Sequence, residues 1–241
     1  MSFDTFDFRA RTLPVVIAFV PVYVCAMLIA IEVPAAETWW NLLPIPVALA
    51  LSALVTHLGR DAGKGVEKAL WENWGGPPTT QMLRWAGAEN PITQQDLHES
   101  LQAIVGTNIT LPTSDQEKED PTRADHIYEA AVRTLIARTG DKEKYPKLKN
   151  DLIGYCFRRN VYGLRTFAIA VAGFLVIGSI VAIVALPSTP VDVGPTIPIV
   201  TLLIALVWIV LYAAWFTSNW VRRAADAYAD ELSKRALEAR T

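Results

Sequence analysis

The stretch Thr166-Phe-Ala-Ile-Ala-Val-Ala-Gly-Phe-Leu-Val-Ile-Gly-Ser-Ile-Val-Ala-Ile-Val-Ala-Leu186 decides the fold class. It has no charged residue, and its polar side chains are Thr166 and Ser179. About 20 mostly apolar residues in a helix cross a hydrocarbon core about 30 Å thick. A helix also satisfies its own backbone polar groups, as lipid requires. Working outward, no Lys or Arg occurs anywhere in residues 166–221, and none in residues 13–59. Across all 241 residues the chain is 52% hydrophobic and 19% charged, with a mean hydropathy of +0.27. A soluble domain carries about 25% charge. The sequence therefore reads as an all-α integral membrane protein, which excludes a soluble enzyme, a disordered chain and a disulfide scaffold.

Three further spans are expected. Residues 13–31 form one, with Pro21 kinking it because proline lacks a backbone donor. Residues 42–57 form the second, preceded by Trp39 and Trp40 at headgroup level. Residues 197–217 form the last and leave the membrane through Tyr212, Trp215 and Trp220. Val33-Pro-Ala-Ala36 faintly resembles a signal-peptide cleavage site. The long apolar stretch before it, with Asp4 and Asp7 ahead of Arg9 and Arg11, favours a retained span.

Orientation follows from the basic residues. The loops at 32–41 and 187–196 have none, whereas the N-terminal tail has Arg9 and Arg11 and the C-terminal tail has five. With four spans, all 22 basic residues fall on one side, expected to be the cytoplasm of a bacterial inner membrane with both termini there. The predicted organisation is 1–57 for the tail and first two spans, 58–165 for a cytoplasmic helical module, 166–217 for spans three and four, and 218–241 for a C-terminal helix. Cys25 and Cys156 then lie in different compartments, so no disulfide between them is expected.

The module carries as many acidic as basic residues between 60 and 165, which argues against nucleic-acid binding. Its pattern is helical throughout. A helix bearing Val66, Leu70, Trp71 and Trp74 should stop at Gly75-Gly-Pro-Pro78, and Thr79 or Thr80 should cap a short helix through Trp85. Thr93-Gln-Gln-Asp96 resembles a capping box. Asp120-Pro121 should open a helix with the stripe Ala124, Ile127, Tyr128, Ala131, Leu135 and Ile136, supported by a Glu129–Arg133 pair. Residues 112–120 read as a loop or lid. Another helix should start near Tyr145-Pro146. The C-terminal helix is either a frayed extension of the last span or an arm packed on the module.

Several residues are candidates for chemistry or recognition. Gly59-Arg-Asp-Ala-Gly-Lys-Gly65 invites comparison with a phosphate loop, but it is one residue short, has no Ser or Thr after Lys64 and follows no strand; it reads as the exit of the second span. His57, His98 and His126 lack a metal-ligand pattern and read as solvated helix-face residues. No metal, cofactor or catalytic residue is expected. Trp71, Trp74 and Arg84 form either a ligand or partner surface, with the rings stacking and Arg84 holding an anion, or a rigid corner beside the membrane; the second is favoured. Arg158, Arg159 and Arg165, among Tyr155, Phe157 and Tyr162, form a basic collar expected to face anionic lipid. Ala168 with Ala172 and Gly178 with Ala182 are pairs of small residues four apart, which lets helices approach closely; they serve either contact between chains or packing among the spans of one chain, and the second is favoured.

The Trp-Gly-Gly-Pro-Pro-Thr-Thr stretch from Trp74 and the Tyr-x-x-Arg-Arg-Asn stretch from Tyr155 resemble hallmarks of a family of bacterial multi-span inner-membrane proteins, over roughly residues 59–164. The resemblance implies a bacterial inner membrane and attaches no activity. The functional expectation is a non-enzymatic membrane assembly or effector, whose module senses a partner or ligand and acts through the spans; membrane permeabilisation in bacterial defence is one concrete version. Membrane lipids, further copies of the chain and a soluble cytoplasmic protein are the expected partners. The alternatives are an anchor or scaffold that recruits a soluble enzyme and, more distantly, a metal-dependent membrane enzyme.

Overall fold

The structure is a computed structural model that describes residues 5–32, 44–141, 143–185 and 195–238. The described residues contain helices and no strands. We number the main helices α1 (Leu13–Ala18), α2 (Val20–Glu32), α3 (Pro44–Trp74), α4 (Pro78–Gln81), α5 (Pro91–Val105), α6 (Ser114–Glu119), α7 (Pro121–Arg138), α8 (Pro146–Gly163), α9 (Arg165–Ala185), α10 (Thr196–Val210) and α11 (Ser218–Glu238). The chain forms two compact units. One comprises Met1–Glu67 with Cys156–Val221, the other Lys68–Tyr155 with Arg222–Thr241.

In the first unit, α9 and the Thr196–Trp215 stretch are each long and apolar enough to cross a membrane, and the bent pair Phe8–Ala18 and Val20–Ile29 qualifies as a third span if taken together. Two or three such helices are therefore present among the described residues. The expected second span starts outside the described residues and continues as the first part of α3, which is not among the helices that meet the length and apolarity of a span. Trp39, Trp40 and the 33–36 stretch lie outside the described residues, as does most of the 187–196 loop. α9 packs against α10, and α10 against α2. Ala168 and Ala172 on α9, and Thr201 and Ala205 on α10, are buried. The other faces expose large apolar side chains, such as Phe174 at 77% and Val184 at 72% on α9 and Val210 at 62% on α10. A solvated protein rarely shows such a surface, and lipid is its natural solvent.

Pro21 has the expected effect. The helix breaks at Phe19, and its two parts meet at 58°. Proline at 21 has no N–H for the carbonyl of Ile17. That carbonyl instead accepts a hydrogen bond from the Trp208 indole Nε1 at 2.9 Å, which ties the break to α10.

The second unit has a separate core, built on Leu83, Leu97, Leu101, Tyr128, Leu135 and Leu232. The α3 terminus follows the expected Gly-Gly stop. Gly75 has φ +79°, Gly76 donates to the Trp71 carbonyl at 2.8 Å and Gly75 to Glu72 at 3.2 Å, the paired bonds of a Schellman end. Other helix starts differ from expectation. Neither Thr79 nor Thr80 caps α4; Pro77 occupies the cap and Pro78 the first turn, where a missing N–H costs nothing. α5 starts before Thr93: Asn90 caps it, accepting from the Ile92 and Thr93 amides, with Pro91 in the first turn. The 112–120 stretch is not a loop but holds α6, opened by a reciprocal capping box between Thr113 and Gln116. Asp120 caps α7 as expected. On α7, Ala124, Tyr128, Ala131 and Leu135 are buried, but Ile136 is 40% exposed and Val132 takes its place in the core. The Glu129–Arg133 pair forms at 3.6 Å. α11 is the packed arm rather than a frayed end, since Tyr228, Leu232 and Ala236 lie in this core. Its buried Glu231 binds Lys147 at 2.7 Å and also pairs with Arg235.

Candidate functional site

Two of the three glycines that suggested a phosphate loop, Gly59 and Gly63, serve helix packing, and Gly65 does not. Gly59 and Gly63 are one turn apart on α3. A Cβ on Gly59 would lie 2.6 Å from the Arg11 carbonyl oxygen and 2.9 Å from Val15 Cγ2. A Cβ on Gly63 would lie 2.8 Å from Asn160 Cγ, and one on Gly163 would lie 2.7 Å from the Gly63 backbone nitrogen. This Gly-x-x-x-Gly pair was the missed signal: it is the most familiar close-packing spacing for membrane helices, yet only the pairs on α9 were read that way.

The close approach buries Asn160, which is 1% exposed and donates from Nδ2 to the Ala10 carbonyl at 2.6 Å. Beside it, Arg159 is 8% exposed and paired with Glu67 on α3. Between the N-terminal segment, α3 and α8 lies a cavity of about 240 Å³. Arg11, Arg60, Lys64 and Arg159 line it together with Cys156 and Asn160, and no carboxylate among the described residues does. Arg11 pairs with Asp7 at 2.6 Å. Among the described residues, neither Arg60 nor Lys64 has an ion-pair partner. Burial pushes the Cys156 thiol up, while Arg159 and Arg11 pull it down.

The predicted collar does not face outward as a set. Arg159 is the buried partner of Glu67, because a desolvated guanidinium needs a carboxylate and hydrogen bonds. Arg158 donates to the Trp220 carbonyl at 3.0 Å and lies over the Trp220 ring at 5.1 Å. Arg165 donates to the Ala213 carbonyl at 2.9 Å, close to the end of the last apolar stretch. The lipid-facing reading is corrected for Arg159, and the other two also hold protein carbonyls.

The small residues on α9 divide into two sets. Ala168 and Ala172 are buried at 1%. Gly178 is exposed, and among the described residues outside its own helix backbone no atom lies within 4 Å of its Cβ position. Gly178 and Ala182 border an apolar groove of about 430 Å³ that also includes Cys25, Ile197 and Thr201.

The Trp71–Arg84 corner is held by its own side chains. Arg84 makes a forked bond to Asp125, at 2.8 and 2.7 Å, and donates to the Gly75 carbonyl at 2.8 Å. Its hydrogen bond to Asp125 raises its pKa. Gln81 and Arg222 both donate to the Trp74 carbonyl. Trp74 is buried and Trp71 half-buried. These bonds satisfy the carbonyls that a helix end leaves orphaned and commit Arg84 to Asp125. Glu117, overlooked at the sequence level, anchors the following segment: its buried carboxylate accepts from the Trp85 and Ala86 amides, both at 2.8 Å, and from the Tyr128 hydroxyl at 2.6 Å. His98 is not a solvated residue; it is 6% exposed, with Nε2 2.6 Å from the Leu83 carbonyl.

A larger hollow of about 540 Å³ near Thr110, Gln116, Asp120 and Arg123 offers less for recognition, because Gln116 and Asp120 are engaged in helix caps. No group of three or more His, Cys, Asp and Glu among the described residues could hold a metal ion. No known protein family, curated protein or solved structure matches the chain.

Proposed function

We propose that the protein is a non-enzymatic assembly or effector of a bacterial inner membrane, with four spans, both termini in the cytoplasm, and a helical module that senses a partner or ligand and acts through the spans. The four-span count takes the bent pair at Pro21 as one span and the first part of α3 as another. The observation that carries the assembly reading is the division of small residues on α9. Ala168 and Ala172 serve contacts within the chain, whereas Gly178 is exposed beside an apolar groove and, among the described residues, has open space at its Cβ position. Lipid offers little hydrophobic drive between helices, so close packing at small residues favours association.

The test is mass measurement in nanodiscs together with ion flux in liposomes. A defined oligomer that Gly178→Leu converts to a folded monomer supports assembly, and flux lost in the same variant supports an effector. A wild-type monomer without flux supports the anchor or scaffold reading instead.

A further inference from the structure

The basic cavity of the first unit has a composition that neither packing nor the assembly reading explains. Four cationic side chains line about 240 Å³, with no carboxylate among the described lining residues. Two of the four are compensated from the rim, Arg11 by Asp7 and Arg159 by Glu67. Arg60 and Lys64, one helical turn apart on α3, are not compensated among the described residues. The cavity wall is built rather than incidental. Arg159 is 8% exposed and Asn160 is 1% exposed, and Asn160 is fixed by the Ala10 carbonyl. Arg159 is desolvated, Arg60 half-buried and Lys64 exposed at the mouth; like charges gathered there repel one another, and a bound anion relieves that repulsion. A water occupies about 30 Å³ in the liquid, so the space holds about eight waters, enough for a compact multivalent anion together with part of its hydration. Planar guanidinium forks beside an ammonium match phosphate oxygens.

We propose that this cavity binds a phosphate group through Arg60 and Lys64, with Arg11 and Arg159 completing its electrostatic surround. The site is independent of whether the chain assembles. Lipid headgroups and free phosphate share this chemistry, and the experiment separates them.

Cys156 lines the cavity and supplies a local probe. In a Cys25→Ser background, the alkylation rate of Cys156 is measured in phosphatidylcholine nanodiscs titrated with inorganic phosphate, and in nanodiscs that also contain phosphatidic acid. Slowing by inorganic phosphate identifies a free-phosphate site; slowing by phosphatidic acid alone identifies a headgroup site. In either case, Arg60→Gln with Lys64→Gln should weaken protection about tenfold or more, since bonds to charged groups are lost. The control Lys118→Gln with Arg133→Gln removes the same charge from exposed positions of the second unit and should change nothing. The exchange Arg60→Lys with Lys64→Arg should retain protection, which separates charge from folding defects. No slowing by either ligand, or equal protection in the Gln variants, overturns the proposal.

Discussion

Gly63→Ala is a small substitution with a large expected effect. The new Cβ would lie 2.8 Å from Asn160 Cγ and closer still to its carboxamide oxygen, so Asn160 must move. Moving it breaks the buried bond from Nδ2 to the Ala10 carbonyl. A buried polar group left unsatisfied costs about 1–3 kcal/mol, and overpacking a tight helix contact adds about 1–3 kcal/mol. Alanine returns about 0.5–1 kcal/mol of helix propensity. The net loss is about 1–5 kcal/mol. For a chain of this size that lowers Tm by on the order of 2–20 °C. Gly65, two residues further along the same helix, is the internal control: no atom lies within 4 Å of its Cβ position, so Gly65→Ala should hold or slightly raise Tm. Thermal unfolding in mild detergent, followed by tryptophan fluorescence, measures both. The Asn160→Ala background completes a double-mutant cycle. Once the carboxamide is gone, Gly63→Ala should cost little, giving a coupling of about 2 kcal/mol. Equal behaviour of Gly63→Ala and Gly65→Ala, or additivity with Asn160→Ala, would refute the packing argument.

Three further outcomes follow from the same contacts. Ala172→Leu should destabilise the folded chain by about 1–3 kcal/mol by overpacking the buried face of α9, whereas Gly178→Leu should leave monomer Tm unchanged; unfolding curves of the two variants in detergent decide this. Glu117→Ala strands two amides and the Tyr128 hydroxyl and should cost the second unit about 3–5 kcal/mol, read as faster hydrogen exchange at the Trp85 and Ala86 amides. Burial holds the His98 imidazole below its ordinary value of 6.5, against the opposing pull of the Leu83 carbonyl and Glu117. The unfolded chain therefore takes up this proton first, so stability is full above 6.5 and declines as pH falls from there toward the lowered folded value. His98→Gln should flatten the slope of Tm against pH across that window.

Features encoded by neighbouring residues were legible in the sequence. The apolar run that opens at Thr166 gives the helix Arg165–Ala185 suited to a membrane, Pro21 gives the break, and Gly75-Gly76 gives the end of α3. Helix starts were less legible because several residues compete to cap. Thr93 had a capping pattern, but Asn90 stands immediately before Pro91, and the fixed φ of proline sets the first turn there. Polarity alone made 112–120 look like a loop, although Thr113 and Gln116 have the capping spacing that starts α6. Periodicity could not separate Val132 from Ile136, since both fit a broad apolar stripe and only tertiary packing chooses between them.

The arginines show a different limit. A basic residue beside a membrane can meet a lipid phosphate, a protein carboxylate or a backbone carbonyl, and its own neighbourhood in sequence does not say which. Arg158, Arg159 and Arg165 formed the denser cluster and so invited the lipid reading. Yet the carboxylate that neutralises Arg159 belongs to Glu67, 92 residues away, and the carbonyls that hold Arg158 and Arg165 belong to Trp220 and Ala213. Arg60 and Lys64 look like the ordinary end of an apolar stretch, but their helix carries Gly59 and Gly63 through its tightest contacts. That crossing draws Arg11 and Arg159 to the same cavity without bringing a carboxylate of the described residues to Arg60 or Lys64. Charge uncompensated by the fold, rather than charge density along the chain, is what directs attention to an anion there.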